Sequence, residues 1–256
     1  MQMLSKIFAL LAGAGLLLAT PAMARDWKTI KSTGTIIAVT EGGFFPFNYY
    51  EGKKLTGFEV EVAEALAKQL GLKIDWRVVA FDAQLAAVNQ GRFDFAIASH
   101  AHTPERAKAV DFADPHYCTG GQIVAYKNGA LTSAALAGKT IGVQIATSYF
   151  DKAKQIPGVK EVKTYKSDPE AFSALRAKKV DAWISDKFLI KETLEKNPNP
   201  NLAIGEQVFV ERVSMILRKN NTELKEQLNR GLAEIIKNGS YQAISNKYFK
   251  TDISCR

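Results

Sequence analysis

The sequence predicts an α/β fold built as two lobes, and three observations predict it. Segments with strand character alternate with segments of helical apolar spacing, the pattern of a largely parallel sheet with helices on its faces. The alternation starts twice, near residue 35 and again near residue 139. The closing helix–strand units of the two halves also look alike: "GRFDFAIAS" (91–99) and "KKVDAWISD" (178–186) each carry an aspartate at the second strand position.

In the first half, "TIIAV" (35–39) reads as a buried strand. In "GFEVEVAEALAKQLG" (57–71), Phe58, Val62, Ala65, Leu66 and Leu70 recur near helical spacing, and Gly71 stands where the helix stops. "KIDWRVV" (73–79) alternates Ile74, Trp76 and Val78 as a strand does. Asp82 is placed to cap a short helix ending at Gly91, and "FDFAIA" (93–98) follows as a strand.

"YCTGGQIVAYKNGA" (117–130), with its glycines, reads as the crossover between halves. In the second half "KTIGVQ" (139–144) and "EVKTY" (161–165) are strands. Ser167-Asp-Pro-Glu170 has the form of a capping box with proline in the first turn, opening the helix "EAFSALRAKK". "VDAWIS" (180–185) closes the unit, "KNPNPN" (196–201) is a surface turn, and the tail from Thr222 reads as helices broken at Gly239. Ligands of open α/β sheets bind beyond the carboxyl ends of the strands. Two facing lobes of this kind bring Ser99 and Asp186, both at strand ends, to one cleft.

The N-terminus says where the protein works. Lys6 precedes the apolar run "IFALLAGAGLLLA", and Ala22-Met23-Ala24 gives the small-x-small pattern of a signal-peptidase site. The run is shorter than the roughly 20 residues a bilayer span needs. A signal peptide over residues 1–24, cleaved after Ala24, is expected. No cysteine near the cleavage site offers itself for lipid attachment. Losing Lys6 takes the formal net charge from +8 to +7, and the remaining excess is dispersed. No arginine-rich arm or basic helix with interleaved aromatics is present, which argues against nucleic acid as a partner. In an oxidising compartment the pair Cys118 and Cys255 favours a disulfide over two free thiols.

Among the motifs, Thr103-Pro104-Glu105-Arg106 has an N-cap residue, a proline suited to the first turn, and a planar bidentate donor for an anion. His100 and His102 form a His-x-His pair with His116 nearby, but no cysteine pair or carboxylate cluster completes a zinc set, and no metal or cofactor is expected. "LAGKT" (136–140) lacks the earlier glycine of a phosphate loop, since position 133 is serine.

The segments "EGGFFPFNY" (41–49), "GFEVEVAEALAKQLG" (57–71), "NQGRFDFAIAS" (89–99), "TPERAKAVDFADPHY" (103–117), "GVQIATS" (142–148), "VDAWISD" (180–186) and "NGSYQAISNKYF" (238–249) together resemble the extracellular solute-binding proteins, family 3. These are the periplasmic polar amino-acid receptors of ABC importers. The resemblance implies a two-lobed periplasmic binding protein fold with a two-strand hinge. Residues 25–122 and 209–256 would form one lobe and residues 123–208 the other. The return of the chain to the first lobe would carry Cys255 back towards Cys118. It implies a monomer, not embedded in the membrane, that delivers an amino-acid-like zwitterion to an inner-membrane ABC permease.

The resemblance also implies roles. Arg106 and the adjacent helix start would hold the ligand's α-carboxylate, with the backbone at Ala101 and the hydroxyl of Ser148 donating to it. Asp186, assisted by the backbone at Ser99, would hold the α-ammonium. Phe44 and Phe81 would flank the ligand's side chain, and Glu41 would meet its polar or cationic tip. The sequence departs from the family at His100, Ala101, His102 and His116, where large apolar residues, a serine or threonine, a large apolar residue and a tyrosine are usual. Cyclohexadienyl dehydratases resemble the same family, so an enzyme on this scaffold, with a histidine as acid or base, is the alternative reading.

Overall fold

The structure is a computed structural model that describes residues 25–255, so the leader expected over residues 1–24 lies outside the described residues. Helix α1 (Trp27–Thr33) is capped by Asp26, whose carboxylate accepts from the Thr29 N–H at 2.8 Å. Strand β1 (Thr35–Thr40) leads into a small antiparallel sheet of β2 (Gly43–Phe44), β3 (Asn48–Glu51) and β4 (Lys54–Thr56). Helix α2 (Phe58–Gln69) then packs Phe58, Val62, Ala63 and Leu66 inward. It starts at Gly57, where φ is 126° and an added Cβ would lie 2.3 Å from the Phe47 carbonyl oxygen. Only glycine fits that approach.

Strand β5 (Lys73–Val78), helix α3 (Phe81–Asn89), strand β6 (Phe95–Ala96) and helix α4 (Pro104–Ala109) continue the alternation. Asp82 does not cap α3: Ala80 is the N-cap and Asp82 sits in the first turn. The helix begins two residues earlier than expected because Phe81 is folded into it and buried against His100. The strand expected over residues 93–98 pairs on both sides only at Phe95 and Ala96, although Asp94 and Ile97 still donate their N–H groups to β1.

Strand β7 (Val110–Thr119) runs to the first crossing, and β8 (Gly121–Tyr126) opens the second half. There β9 (Thr140–Gln144), α5 (Ser148–Ala153), β10 (Glu161–Tyr165), α6 (Asp168–Arg176), β11 (Ala182–Asp186), α7 (Lys187–Lys196) and β12 (Leu202–Gln207) follow. The Ser167 side chain makes no cap bond on α6. Instead Asp168 turns inward to accept from Trp183 and Ser185, and Glu170 accepts from the Lys166 N–H. The buried indole and hydroxyl need that acceptor more than the solvated helix end needs a cap.

The chain crosses back at residues 208–210 into β13 (Glu211–Arg218), and α8 (Thr222–Lys237) and α9 (Ser240–Phe249) complete the fold. Two five-stranded sheets result, ordered β5-β1-β6-β13-β7 and β10-β9-β11-β8-β12. In each, four strands run one way and a single strand, β13 in the first sheet and β8 in the second, runs against them, so the sheets are mixed. The likeness of the halves has a physical basis: the carboxylate of Asp94 accepts from the Ile37 N–H at 2.7 Å, and that of Asp181 from the Thr140 N–H at 2.8 Å. Each aspartate ties its strand to the neighbour at the strand's start.

The two crossings touch. A Cβ at Gly120 would stand 2.1 Å from the Phe209 carbonyl oxygen, so glycine lets the connections pass side by side. Beside them, Cys118 is bonded to Cys255 with a Cα separation of 4.9 Å, and the Cys118 N–H donates to the Ile253 carbonyl at 3.0 Å.

Candidate functional site

A small, partly open cavity of about 10 Å³, room for roughly one water, lies between the sheets. Glu41, Phe44, Phe81, Ser99 and Arg106 line it from the first half, and Gln144, Thr147, Ser148 and Tyr149 from the second. Six of the eight residues expected at a site therefore meet in one place. Ala101 and Asp186 do not line this cavity. Ala101 lines a broader groove next to it, which also holds the exposed His102 and shares the wall residue Ser148. The groove is larger and more open, but the aromatic walls and the arginine converge on the smaller space.

Arg106 is aimed by backbone. Thr103 caps α4 by accepting from the Arg106 N–H, which fixes the first turn. The guanidinium then donates to the Ala101 carbonyl at 3.0 Å and to the Ala146 carbonyl at 2.9 Å, with no carboxylate within 4.0 Å among the described residues. Its plane lies over Phe81, 5.6 Å from the ring centroid. His100 stacks on the same ring at 4.6 Å. The Gln84 amide nitrogen donates to the Val79 carbonyl, so its oxygen faces His100 and the imidazole carries its proton on Nε2. Burial, reinforced by Arg106, pushes the His100 pKa well below its ordinary value, and the ring is neutral. His100 thus backs an aromatic wall. The other member of the His-x-His pair, His102, rests on Phe112 with centroids 4.4 Å apart. Among the described residues no group of three or more His, Cys, Asp or Glu side chains is placed to hold a metal ion.

The acids divide the work. Glu41 accepts from the Gln144 amide at 2.6 Å, a contact joining the two halves, and burial pushes its pKa up to about 7. Ser99 adopts φ 60°, and its N–H and hydroxyl are both taken by Glu59, at 2.7 and 3.1 Å. Glu59, wholly buried, also accepts from Asn48 and shares a 2.9 Å hydrogen bond with His116. Asp186 caps α7 through Oδ1, which accepts from the Phe188 and Leu189 N–H groups at 2.7 and 3.0 Å. Its Oδ2 is buried with no hydrogen-bond partner among the described residues. Burial pushes the Asp186 pKa up to about 7 against the pull of the neighbouring Thr119 hydroxyl. Ser148 does not keep its hydroxyl proton for a ligand: it donates to Glu211 at 2.6 Å.

Sequence reasoning missed Gln144, Thr147, Tyr149, Glu59 and Glu211. Gln144 was legible in principle, since it ends a strand whose carboxyl edge faces the cleft. Glu59 and Glu211 carry no local signal, because their partners lie 40 and 63 residues away.

Residues 36–251 match the bacterial extracellular solute-binding proteins, family 3. The L-cystine-binding protein TcyJ of Escherichia coli K12 is 35% identical over 231 residues, 88% of this chain and 86% of that protein. An ancestral arginine-binding protein solved with arginine is 35% identical with a TM-score of 0.80, over 84% of this chain and 98% of that one. An ancestral amino-acid-binding protein described as a precursor of cyclohexadienyl dehydratase is 27% identical with a TM-score of 0.80, over 87% of this chain and 98% of that one. Two mixed sheets joined by paired crossings, with a charged cavity between them, are thus the build of a known group, and the chain belongs to the bacterial extracellular solute-binding proteins, family 3.

Proposed function

We propose that this protein is the periplasmic receptor of an ABC importer and closes its two lobes on a small polar amino acid. The observation that carries this reading is Arg106: a partly buried guanidinium held by two backbone carbonyls with no carboxylate partner, in a cavity with Glu41 at its wall. The carbonyls occupy two of its five N–H groups and leave others for an α-carboxylate. Asp186 does not line the cavity, but its Oδ2, with the Thr119 hydroxyl beside it, is the acceptor assigned to the α-ammonium. Phe44 and Phe81 sandwich the ligand's side chain and Glu41 faces its tip, which favours a cationic or amide-bearing group. L-Arginine and L-cystine, named for two of the similar proteins, are the first ligands to try.

Residues 25–122 with 209–256, and 123–208, are the two closing units, and the mature chain begins at Arg25 after export. It works as a monomer that hands its ligand to an inner-membrane permease. It has no catalytic role; stable prephenate and arogenate after incubation with the protein is the check. A thermal-shift screen of L-amino acids and L-cystine tests the main reading. Ligand at a hundred times its dissociation constant adds about 2.7 kcal/mol of stability. A melting temperature unmoved by every compound overturns it.

A further inference from the structure

The bond between Ser148 and Glu211 has a consequence for how a carboxylate is received. Ser148 lies in the cavity wall at the start of α5, and Glu211 begins β13, at the second crossing. Their oxygens are 2.6 Å apart. A hydroxyl has one proton to give. While it points at an ionised Glu211, Ser148 can only accept from a ligand. A carboxylate placed against Arg106 would then meet a lone pair where a donor is wanted, with a second carboxylate directly behind it.

We propose that Glu211 is a specificity-determining residue that takes up one proton when an amino acid binds and thereby turns Ser148 into a donor. One proton enters from solvent and forms the O–H bond of the neutral Glu211, which donates a hydrogen bond to Ser148 Oγ. The Ser148 hydroxyl then turns its own hydrogen bond to the ligand's α-carboxylate, and no other covalent bond is made or broken. The inference rests on the amino-acid-binding reading above.

The surroundings suit the role. Glu211 is largely buried, and that burial raises its pKa; Ser148 and Tyr149 hydrogen bonds and the charges of Arg106 and Lys152 oppose the rise. Asp186 also interacts electrostatically with Glu211, and each disfavours the other's negative charge. A ligand carboxylate drawn to Arg106 withdraws part of that cation's help and so favours the proton on Glu211.

The test uses the mature protein and whichever of the standard L-amino acids or L-cystine raises its melting temperature most. Calorimetry in two buffers of different ionisation enthalpy counts protons taken up per ligand between pH 5 and 8. The wild type is expected to take up a fraction of a proton, up to one. Its affinity should fall by as much as about tenfold per pH unit as pH rises through the window. Glu211→Gln, which keeps shape and hydrogen bonding, is expected to lose that uptake and flatten the affinity profile. Glu192→Gln, at a half-buried carboxyl on α7 that does not line the cavity, is expected to keep the uptake. Equal uptake in the wild type and Glu211→Gln, or none in the wild type, overturns the inference while the receptor reading stands. No ligand in the panel overturns both.

Discussion

Arg106 Nη2 donates to the Ala146 carbonyl at 2.9 Å and so ties helix α4 to the loop after β9, across the two lobes. The residue proposed to bind the ligand is therefore also a closure contact. Gln144 to Glu41 is a second such contact in the cavity, and Lys196 over the Phe45 ring, 3.4 Å from its centroid, is a third outside it.

Arg106→Ala removes the cation assigned to the α-carboxylate, together with its two carbonyl contacts. Breaking one side of a desolvated charge pair typically costs about 3 to 5 kcal/mol. At about 1.4 kcal/mol per decade, affinity is expected to fall a hundredfold or more by calorimetry. Affinity within threefold of wild type would remove Arg106 from the site.

Asp186→Asn separates capping from binding. Asparagine caps helices as well as aspartate does, so α7 keeps its N-terminus. The amide places a donor where the α-ammonium needs an acceptor. The variant should fold, melt at or above the wild-type temperature at pH 7, and lose ligand affinity by a hundredfold or more. A variant that unfolds instead would make Asp186 structural first.

Glu41, Asp168 and Asp186 are each raised by burial, to about 7, 6 and 7. The folded state holds these protons after the unfolded chain, with ordinary carboxylates, has released them. Their contribution to stability is thus greatest below about pH 4 and is lost as pH rises towards 7, by at most about 1.4 kcal/mol per pH unit for each group. Denaturant titrations of wild type and Asp186→Asn should diverge in the variant's favour between pH 4 and 7 and run parallel above it. Parallel curves throughout would mean that Asp186 titrates normally.

The Cys118–Cys255 bridge closes a loop spanning 137 positions. Chain entropy puts its contribution at about 4 to 5 kcal/mol. Cys255→Ser, or reductant on the wild type, is expected to lower the denaturation midpoint by a matching amount. Equal midpoints with and without reductant would contradict this.

His100 is buried behind Phe81 and His102 lies on Phe112 in the neighbouring groove. Zinc and a chelator are each expected to leave the melting curve unchanged. A zinc-dependent rise of several degrees would make these histidines metal ligands.

Much of the fold was legible because its signals are local. Thr103 and Pro104 announce α4, Gly71 ends α2, and the aspartates at 94 and 181 mark equivalent strand starts. The misreadings at Asp82 and Ser167 share one cause. A capping pattern offers a bond worth about 1 kcal/mol, and burying Phe81 or satisfying Trp183 and Ser185 outweighs it.

By itself the sequence determined the two-lobed α/β class, carried the resemblance to the family, favoured a bridge between Cys118 and Cys255, and named the cation and aromatics that line the cavity. Tertiary structure decided what each polar group does there. Asp186 spends one oxygen on a helix and keeps the other. Ser99 is gripped by Glu59, and Ser148 gives its proton to Glu211. Strand and helix follow from spacings of two to four residues, which any window of sequence contains. A hydroxyl's single proton goes to whichever acceptor the fold brings within 3 Å, and that acceptor can lie anywhere in the chain.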